Sequence, residues 1–380
     1  MSVKVFKVEA ILKDDGRYKP SQKVLKQKNF YEKAKNEIIQ NIIDPDQQPA
    51  IDLNIQNHYQ RSTRTLGSYV TLDWSHRLNI LRTIEAIKSY STDNSRKRPL
   101  NILMVAEPGS GKSHFVKCLA EYLKGYNVSP VLFNMATFKD PDDLIQPIES
   151  VRNLKVQDKL PILFIDEFDS DKTNYPILLP LLWDGEVQLG NRNLKLGKLI
   201  IILAGSDQKV ISTIENAQKM QINESDSKDE TKLFDVLSRI NGGLINIPSL
   251  DLITAKRDRR ADKVCISITL LQRRFGKDIH LVPWSLLKFI GETKFRYGVR
   301  SIALMIDLIP HESLVDHKIQ IERLNLPLKS IFTMKNSVLA YHILPTDKDK
   351  DAQGIIDRWK KICNYNTMVR FIQPQEEEDN

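Results

Sequence analysis

The sequence predicts an α/β protein in which a parallel sheet is followed by a small helical domain. Between residues 100 and 248, short apolar runs typical of buried strands alternate with segments of helical period. A loop containing two glycines joins the first of these runs directly to a helical segment. After residue 248 the apolar residues recur at helical spacing. Strands that alternate with helices favour right-handed crossovers and therefore a parallel sheet.

The composition is that of an ordinary globular protein and excludes several other classes. The 380 residues are 41% hydrophobic and 27% charged, enough for two or three domains. Three distant cysteines, Cys118, Cys265 and Cys363, indicate neither a disulfide framework nor a metal site. The N-terminal residues lack a signal-peptide pattern, and apolar runs such as Leu199–Ala204 are too short to cross a bilayer. We therefore expect a cytoplasmic protein without membrane contact.

The first 64 residues are expected to form an accessory segment. Valines near residues 3–11 predict one or two short strands, and Phe30–Ile43 has the spacing of a helix. Asp44 and Pro45 end that helix. A further helix, Trp74–Ile87, leads into the sheet.

Five apolar runs supply the predicted strands of the sheet, and helices separate them. The strands are Leu103–Val105, Pro130–Met135, Pro161–Ile165, Leu199–Leu203 and Leu244–Ile247. The helices are Lys112–Leu123, Asp140–Ser150, Tyr175–Trp183 and Leu233–Arg239. A hairpin is expected over 185–197 with its turn at Gly190-Asn191, then a polar insert with a helix near Ile211–Met220 and an acidic stretch, Asn223–Glu230.

A second group of helices and a variable C-terminal segment follow the sheet. The helices are Ile266–Phe275, Pro283–Ile290 and Val299–Ile309. Short strands are predicted at Ser330–Met334 and Val338–His342, before the acidic tail Gln375–Asn380. The predicted organisation is therefore an accessory segment, 1–64, an α/β core, 65–248, a helical lid, 249–310, and a C-terminal extension, 311–380.

The loop Ala106-Glu-Pro-Gly-Ser-Gly-Lys-Ser113 has the pattern of a phosphate-binding loop, with Ala106 in place of the usual first glycine. Gly109 and Gly111 allow the backbone to curl so that several N–H groups point into one concavity. The following helix begins there and adds partial positive charge. We expect Lys112 to reach the β- and γ-phosphates, and the hydroxyl of Ser113 to ligate Mg²⁺.

Two carboxylates, Asp166 and Glu167, directly follow the third predicted strand. Open α/β sheets bind their ligands at the carboxyl ends of the strands, where these side chains would face the phosphate loop. Asp166 is expected to hold Mg²⁺, and Glu167 to orient and deprotonate a water molecule.

The two motifs together resemble those of the AAA+ ATPases over about residues 65–310. The loop is similar to Walker A, and Ile162-Leu-Phe-Ile-Asp-Glu167 is similar to Walker B. The resemblance implies a sheet of order 5-1-4-3-2, and the hairpin over 185–197 resembles that of the Clp-type and MoxR-like branch. It also implies a sensor-1 role for Ser206, a trans-acting arginine finger at Arg239 and a sensor-2 role for Arg300. The nucleotide contacts it implies are Pro108, Gly109, Ser110, Gly111, Lys112, Ser113, His114 and Arg300, and Gly67–Val70 is a candidate segment for the adenine.

The resemblance implies an ATPase that uses ATP and Mg²⁺ in a ring or spiral of identical subunits, of the hexamer type, to remodel an unidentified client. A nucleotide-gated adaptor with slow turnover is the first alternative. A DNA-associated ATPase is the second, because the net charge is +8 and the run Lys256-Arg-Asp-Arg-Arg260 is basic. The acidic residues among these bases favour a solvated lid surface instead, so nucleic acid stays an open partner.

Overall fold

The computed structural model describes most of the chain: residues 10–12, 18–20, 22–45, 52–189, 192–206, 210, 228–254, 257–320, 342–346, 349 and 351–371. Several predicted features fall outside these residues. They are the turn at Gly190-Asn191, the helix at Ile211–Met220, most of the acidic stretch Asn223–Glu230, the strand at Ser330–Met334, nearly all of Val338–His342, and the acidic tail.

The described strands and helices are numbered in chain order. The strands are β1 (Ala10–Leu12), β2 (Tyr18–Pro20), β3 (Asp52–Asn54), β4 (Leu100–Ala106), β5 (Val128–Asn134), β6 (Leu160–Asp166), β7 (Glu186–Leu189), β8 (Arg192–Lys195), β9 (Ile200–Gly205), β10 (Leu244–Ile247), β11 (Leu281–Pro283), β12 (Lys294–Phe295), β13 (Leu314–Val315), β14 (Lys318–Ile319), β15 (Ile343–Leu344) and β16 (Met368–Arg370). The α-helices are α1 (Gln22–Ile38), α2 (Gln56–Ser62), α3 (Trp74–Thr92), α4 (Lys112–Tyr122), α5 (Ile145–Val156), α6 (Tyr175–Asp184), α7 (Lys228–Leu237), α8 (Arg260–Phe275), α9 (Trp284–Glu292), α10 (Gly298–Asp307) and α11 (Ala352–Cys363). A π-helical turn, Ile39–Ile43, continues α1, and 3₁₀ turns lie at Lys124–Tyr126, Met135–Thr137, Pro141–Leu144, Lys172–Asn174 and His311–Ser313.

Five parallel strands form the central sheet in the order β10-β4-β9-β6-β5. Counted along the sheet segment of the chain, this is the order 5-1-4-3-2, so the predicted α/β class and strand order are confirmed. The hairpin of β7 and β8 is also confirmed as an antiparallel pair.

Both faces of the central sheet are covered, which explains why its inner strands β4, β9 and β6 are continuous apolar runs in the sequence. Alternate residues of β4 enter different cores. Ile102 and Met104 pack with α3 and α4, while Leu103 and Val105 pack with α5 and α6. Because successive side chains of a strand point to opposite faces, both sets of helices are needed to bury them.

A third core unites the lid with both terminal segments. Helices α8, α9 and α10 pack against α1 from the N-terminal side and α11 from the C-terminal side. Ile38 and Ile42 are fully buried there. The predicted lid helices are present, but the lid also contributes β11 to a mixed sheet of order β13-β14-β11-β16-β3. Strands from 1–64 and 311–380 thus complete a sheet that begins in the lid.

The basic run at the start of α8 was expected to be a solvated lid surface, and that interpretation is wrong for Arg259. Arg259 is 2% exposed and pairs with the equally buried Asp262. Arg257 lies 3.3 Å from Asp73, and Arg260 contacts Asp44 and Asp258 at 2.7 Å each. These guanidinium groups form ion pairs with nearby carboxylates, because the run connects the lid to the start of α3 and to the end of the N-terminal helix.

Among the described residues, none of the helices combines the length and the apolar character that crossing a membrane requires. Cys118, Cys265 and Cys363 are all free cysteines in the structure.

Candidate nucleotide-binding site

The loop between β4 and α4 has the backbone of an anion cradle. Gly109 and Gly111 both adopt left-handed conformations, with φ of 77° and 92°. Gly111 directly precedes α4, and its carbonyl accepts the first helical hydrogen bond from Phe115 N–H at 2.9 Å. The Oγ atom of Ser110 is buried and has no hydrogen-bond partner within the described part of the chain. An uncompensated hydroxyl in such a concavity fits a ligand with acceptor oxygens.

Lys112 and Asp166 meet at the carboxyl edge of the sheet. Their Nζ and Oδ1 atoms lie 3.4 Å apart, and the two side chains are 8% and 20% exposed. Burial raises the pKa of the Asp166 carboxyl above its usual range, and the Lys112 ammonium opposes that rise. The site therefore holds a partly desolvated ion pair at the point where phosphate and metal would bind.

Glu167 leaves the strand in a left-handed conformation, with φ of 54°. Its backbone N–H donates to Asp166 Oδ1 at 3.0 Å, and the next N–H, of Phe168, donates to Ala204 O at 3.2 Å. Phe168 is fully buried. A non-glycine residue in this conformation is strained, and such strain concentrates at functional sites. Here it turns the half-buried Glu167 away from the strand direction.

Ser206 lies at the same edge, one residue beyond β9. The register pairs Ala204 with both Met104 and Asp166. The backbone N–H of Ser206 donates to Asp169 Oδ2 at 2.9 Å. A Cβ on Gly205 would lie 2.9 Å from that same oxygen, so strand end and carboxylate are tightly packed. The sequence analysis missed Asp169, although a third acidic residue two positions after Glu167 was visible.

The lid touches the phosphate loop through the start of α10. A Cβ on Gly109 would lie 2.1 Å from the carbonyl oxygen of Tyr297, so only glycine allows this approach. Arg300 is in the first turn of α10, where its N–H donates to Tyr297 O at 3.1 Å. Its side chain is exposed. The structure thus brings the segment predicted as sensor 2 to the loop, with Arg300 one turn from the contact.

Arg239 is far from these residues. It follows α7 in a turn, two residues beyond the helix end, whereas the sequence predicted it as the last helical residue. Its carbonyl accepts a 2.8 Å hydrogen bond from the side chain of Asn101 near the start of β4. Ala106 is five residues further along that strand, about 16 Å at the usual rise per residue. Arg239 therefore lies at the amino edge of the sheet, opposite the loop of the same chain.

His114 and the segment before α3 line the side of the loop. Tyr69 packs edge-on against Phe115, with ring centroids 5.0 Å apart, and His114 Nε2 lies 3.4 Å from Ser68 O. The hydrogen bond with Cys118 raises the pKa of His114 against the effect of burial. Of the remaining predicted contacts, Pro108 is exposed and Ser113 is half-buried at the start of α4.

The backbone N–H groups and side chains of this site fit a triphosphate with a divalent cation. Among the described residues no three His, Cys, Asp or Glu side chains converge on one point. Ser113 and Asp166 would be the protein ligands, with water and phosphate oxygens as the others, which is the usual arrangement for Mg²⁺. A glycine loop, a lysine at the helix start and a strand-end aspartate define a P-loop nucleotide-binding protein.

The family comparison makes this class more specific. Residues 102–224 match the model of the ATPase family associated with various cellular activities (AAA), about a third of the chain. The match contains the loop, the strand-end carboxylates and four of the five sheet strands. The chain therefore carries an AAA+ P-loop ATPase domain. The expected Clp or MoxR branch is not distinguished by this match.

Solved structures give more distant likenesses. NtrX from Brucella abortus in complex with ADP is 12% identical, and the match covers 76% of this chain and 65% of that chain with a TM-score of 0.43. Its complex with ATP is 14% identical, with 76% and 62% covered and a TM-score of 0.42. The S. cerevisiae Hsp104–ADP complex is 18% identical, with 54% and 38% covered and a TM-score of 0.35. The chain thus matches less than two thirds of each. No curated protein matches it.

Proposed function

We propose that the chain hydrolyses ATP at the loop between β4 and α4, and that the reaction moves the lid together with both terminal segments. The 3.4 Å contact between Lys112 and Asp166 carries this proposal. It joins the phosphate-binding lysine to the metal-binding aspartate at one edge of the sheet. The family match supports the same chemistry.

The residues divide the work as follows. Backbone N–H groups from Gly109 to Ser113 and the positive end of α4 hold the phosphates. Lys112 exchanges its contact with Asp166 for the β- and γ-phosphate oxygens. Glu167 takes the proton from the attacking water, and Ser206 orients that water. Ser113 and Asp166 would hold Mg²⁺, which supplies neutralisation of phosphate charge.

The lid completes the pocket from above. Tyr297 rests against Gly109, so a nucleotide that enters the loop meets the start of α10. Arg300 then turns toward the phosphates from its present exposed position. Because the lid shares one core with α1 and α11, its movement displaces residues from both terminal segments. An unidentified client bound by those segments would be remodelled in this way.

Arg239 acts on the pocket of a neighbouring subunit. Its position at the amino edge, about 16 Å along β4 from its own loop, leaves it unable to reach its own nucleotide. A ring or spiral of identical subunits, of the hexamer type, supplies the missing guanidinium in trans. Such an arginine contributes roughly 10³-fold to the rate in related systems.

Mixing two variants tests this proposal. Glu167→Gln lacks the base but keeps its arginine, and Arg239→Ala lacks the arginine but keeps its base. Each alone should hydrolyse ATP at a small fraction of the parental rate. An equimolar mixture should regain activity, because some Arg239→Ala pockets then face an intact Arg239. A mixture as inactive as its components would contradict action in trans, and parental activity of Glu167→Gln would remove Glu167 from its role.

The parental rate in this assay and a separate DNA-binding measurement distinguish the two alternatives. A nucleotide-gated adaptor would bind ATP and assemble, yet the parental protein would turn over only slowly. A DNA-associated ATPase would show salt-dependent DNA binding. The described arginines of the basic run do not favour DNA contact. Each of their guanidinium groups already pairs with a carboxylate of this chain.

A further inference from the structure

The C-terminal segment reaches the lid at the point where the lid touches the phosphate loop. Strand β15 pairs antiparallel with β12, so Ile343 lies opposite Phe295. One residue earlier, the carbonyl of His342 accepts a 2.9 Å hydrogen bond from Arg296 N–H. This pairing fixes His342 beside Tyr297, the residue that contacts Gly109.

His342 is also linked to the backbone N–H of Tyr297 through the hydroxyl of Ser301. Its Nδ1 atom lies 2.9 Å from Oγ of Ser301, a fully buried residue of α10. The same Oγ accepts a hydrogen bond from Tyr297 N–H at 3.2 Å. The rings of His342 and Tyr297 pack edge to face, with centroids 5.2 Å apart.

One hydroxyl can serve both neighbours. Ser301 Oγ accepts from Tyr297 N–H, and its O–H can donate to Nδ1 of a neutral His342. Burial and the nearby Arg300 charge lower the pKa of His342, which favours the neutral ring. Protonated His342 would instead present an N–H to the hydroxyl oxygen, which would then lose His342 as the acceptor for its own O–H.

We propose that His342 is a positioning residue for nucleotide binding: through Ser301 it holds Tyr297 and the first turn of α10, which carries Arg300, against the phosphate loop. The proposal rests on the proposed function of that loop. It makes residues outside the matched AAA segment part of the nucleotide pocket, and it gives the C-terminal segment a direct means to sense whether the lid is seated.

Two substitutions separate hydrogen bonding from ring packing. His342→Asn keeps an acceptor oxygen near the position of Nδ1 but loses the ring. His342→Phe keeps a ring against Tyr297 but has no acceptor. With the full-length protein, His342→Phe should raise the Kd and KM for MgATP about 3- to 10-fold, the effect expected for one hydrogen bond, with kcat within about twofold. His342→Asn should stay within about twofold of the parent on all three.

Ser301→Ala provides a second route to the same answer if His342→Phe folds poorly. It should weaken MgATP binding as much as His342→Phe, and the double variant should show little further loss, because both changes remove one chain of contacts. Thermal unfolding of each variant controls for general destabilisation.

The outcomes are distinct. If the parent binds MgATP but His342→Phe and Ser301→Ala bind it equally well, this inference is wrong while the proposed function stands. If His342→Asn is as impaired as His342→Phe, an acceptor oxygen at this position does not suffice to hold Tyr297, and the inference is also wrong. If the parent does not bind MgATP, the proposed function itself fails.

Discussion

The ammonium of Lys112 lies 3.4 Å from a carboxylate oxygen of Asp166, although the two residues are 54 positions apart in the chain. The strand order brings them together, because β4 and β6 both flank β9 and end at the same edge. Each group is largely withdrawn from water. A ligand that carries both negative charge and a cation can replace this contact, because its negative groups can contact Lys112 and its cation can contact Asp166.

The contact between Gly109 and Tyr297 predicts a steric effect on the lid. Gly109→Ala would place a Cβ 2.1 Å from the Tyr297 carbonyl, at a φ that non-glycine residues rarely adopt. We expect MgATP binding to weaken at least about tenfold, because loop and lid must separate. Gly125→Ala, whose Cβ would meet nothing within 4 Å, is the matched control. Equal affinity of the two variants, measured by calorimetry, would contradict a lid seated on the loop.

The hydrogen bond from Ser206 N–H to Asp169 predicts a rate effect without a binding effect. Asp169→Ala removes the acceptor that fixes the end of β9, so Ser206 should lose its position relative to the attacking water. We expect kcat to fall roughly tenfold with the Kd for MgATP within about twofold. Asp169→Asn keeps an acceptor oxygen and should recover most of the rate. A variant that weakens binding but not kcat would show that Asp169 serves loop structure instead.

Sequence reasoning succeeded where local pattern and chemistry coincide. The inner strands β4, β9 and β6 are buried on both faces, so their apolar runs indicated strands. The glycine loop and the two carboxylates lie at the carboxyl ends of β4 and β6. Sequence reasoning failed where segments that are far apart in the chain pack together into one core. The lid core needs α1 and α11, and Arg259 is buried only because Asp262 and the carbonyl of Pro248 meet it. Nothing in a basic run alone reveals such partners.

The buried pair of Arg259 and Asp262 predicts a non-additive stability effect. Arg259→Met leaves a buried carboxylate without its cation and should cost roughly 3–5 kcal/mol of unfolding free energy. Adding Asp262→Asn removes that charge while keeping an acceptor for the Leu72 N–H. The double variant should therefore be more stable than Arg259→Met by about 1 kcal/mol or more. Urea unfolding measures both; a loss under about 0.5 kcal/mol for Arg259→Met would indicate an exposed arginine instead.

His76 predicts how stability depends on pH. Burial, assisted by Arg259, lowers its pKa to about 3, and its Nε2 lies 2.8 Å from Tyr69 Oη. The unfolded chain binds a proton at this residue below about pH 6.5 while the folded chain does not, so stability falls as pH decreases from there toward 3. Between pH 7 and 5 the loss from this one group is about 2 kcal/mol.

His76→Gln keeps a polar group toward Tyr69 but does not titrate. Its unfolding free energy should fall less than the parent's between pH 7 and 5, by about 2 kcal/mol, in urea titrations at both values. Parallel pH profiles of parent and variant would show that folding does not change the pKa of His76.

The binding of MgATP to the loop beneath the lid is the central claim, and calorimetric titration of the full-length protein tests it most directly. The account predicts one nucleotide per chain, with affinity lowered roughly 10- to 100-fold by Lys112→Ala, because a charge-assisted contact with phosphate is lost. Lys117→Ala, an exposed lysine on the same helix, should bind as the parent does. Absence of binding by the parent, or equal affinity of the Lys112→Ala and Lys117→Ala proteins, would contradict the account.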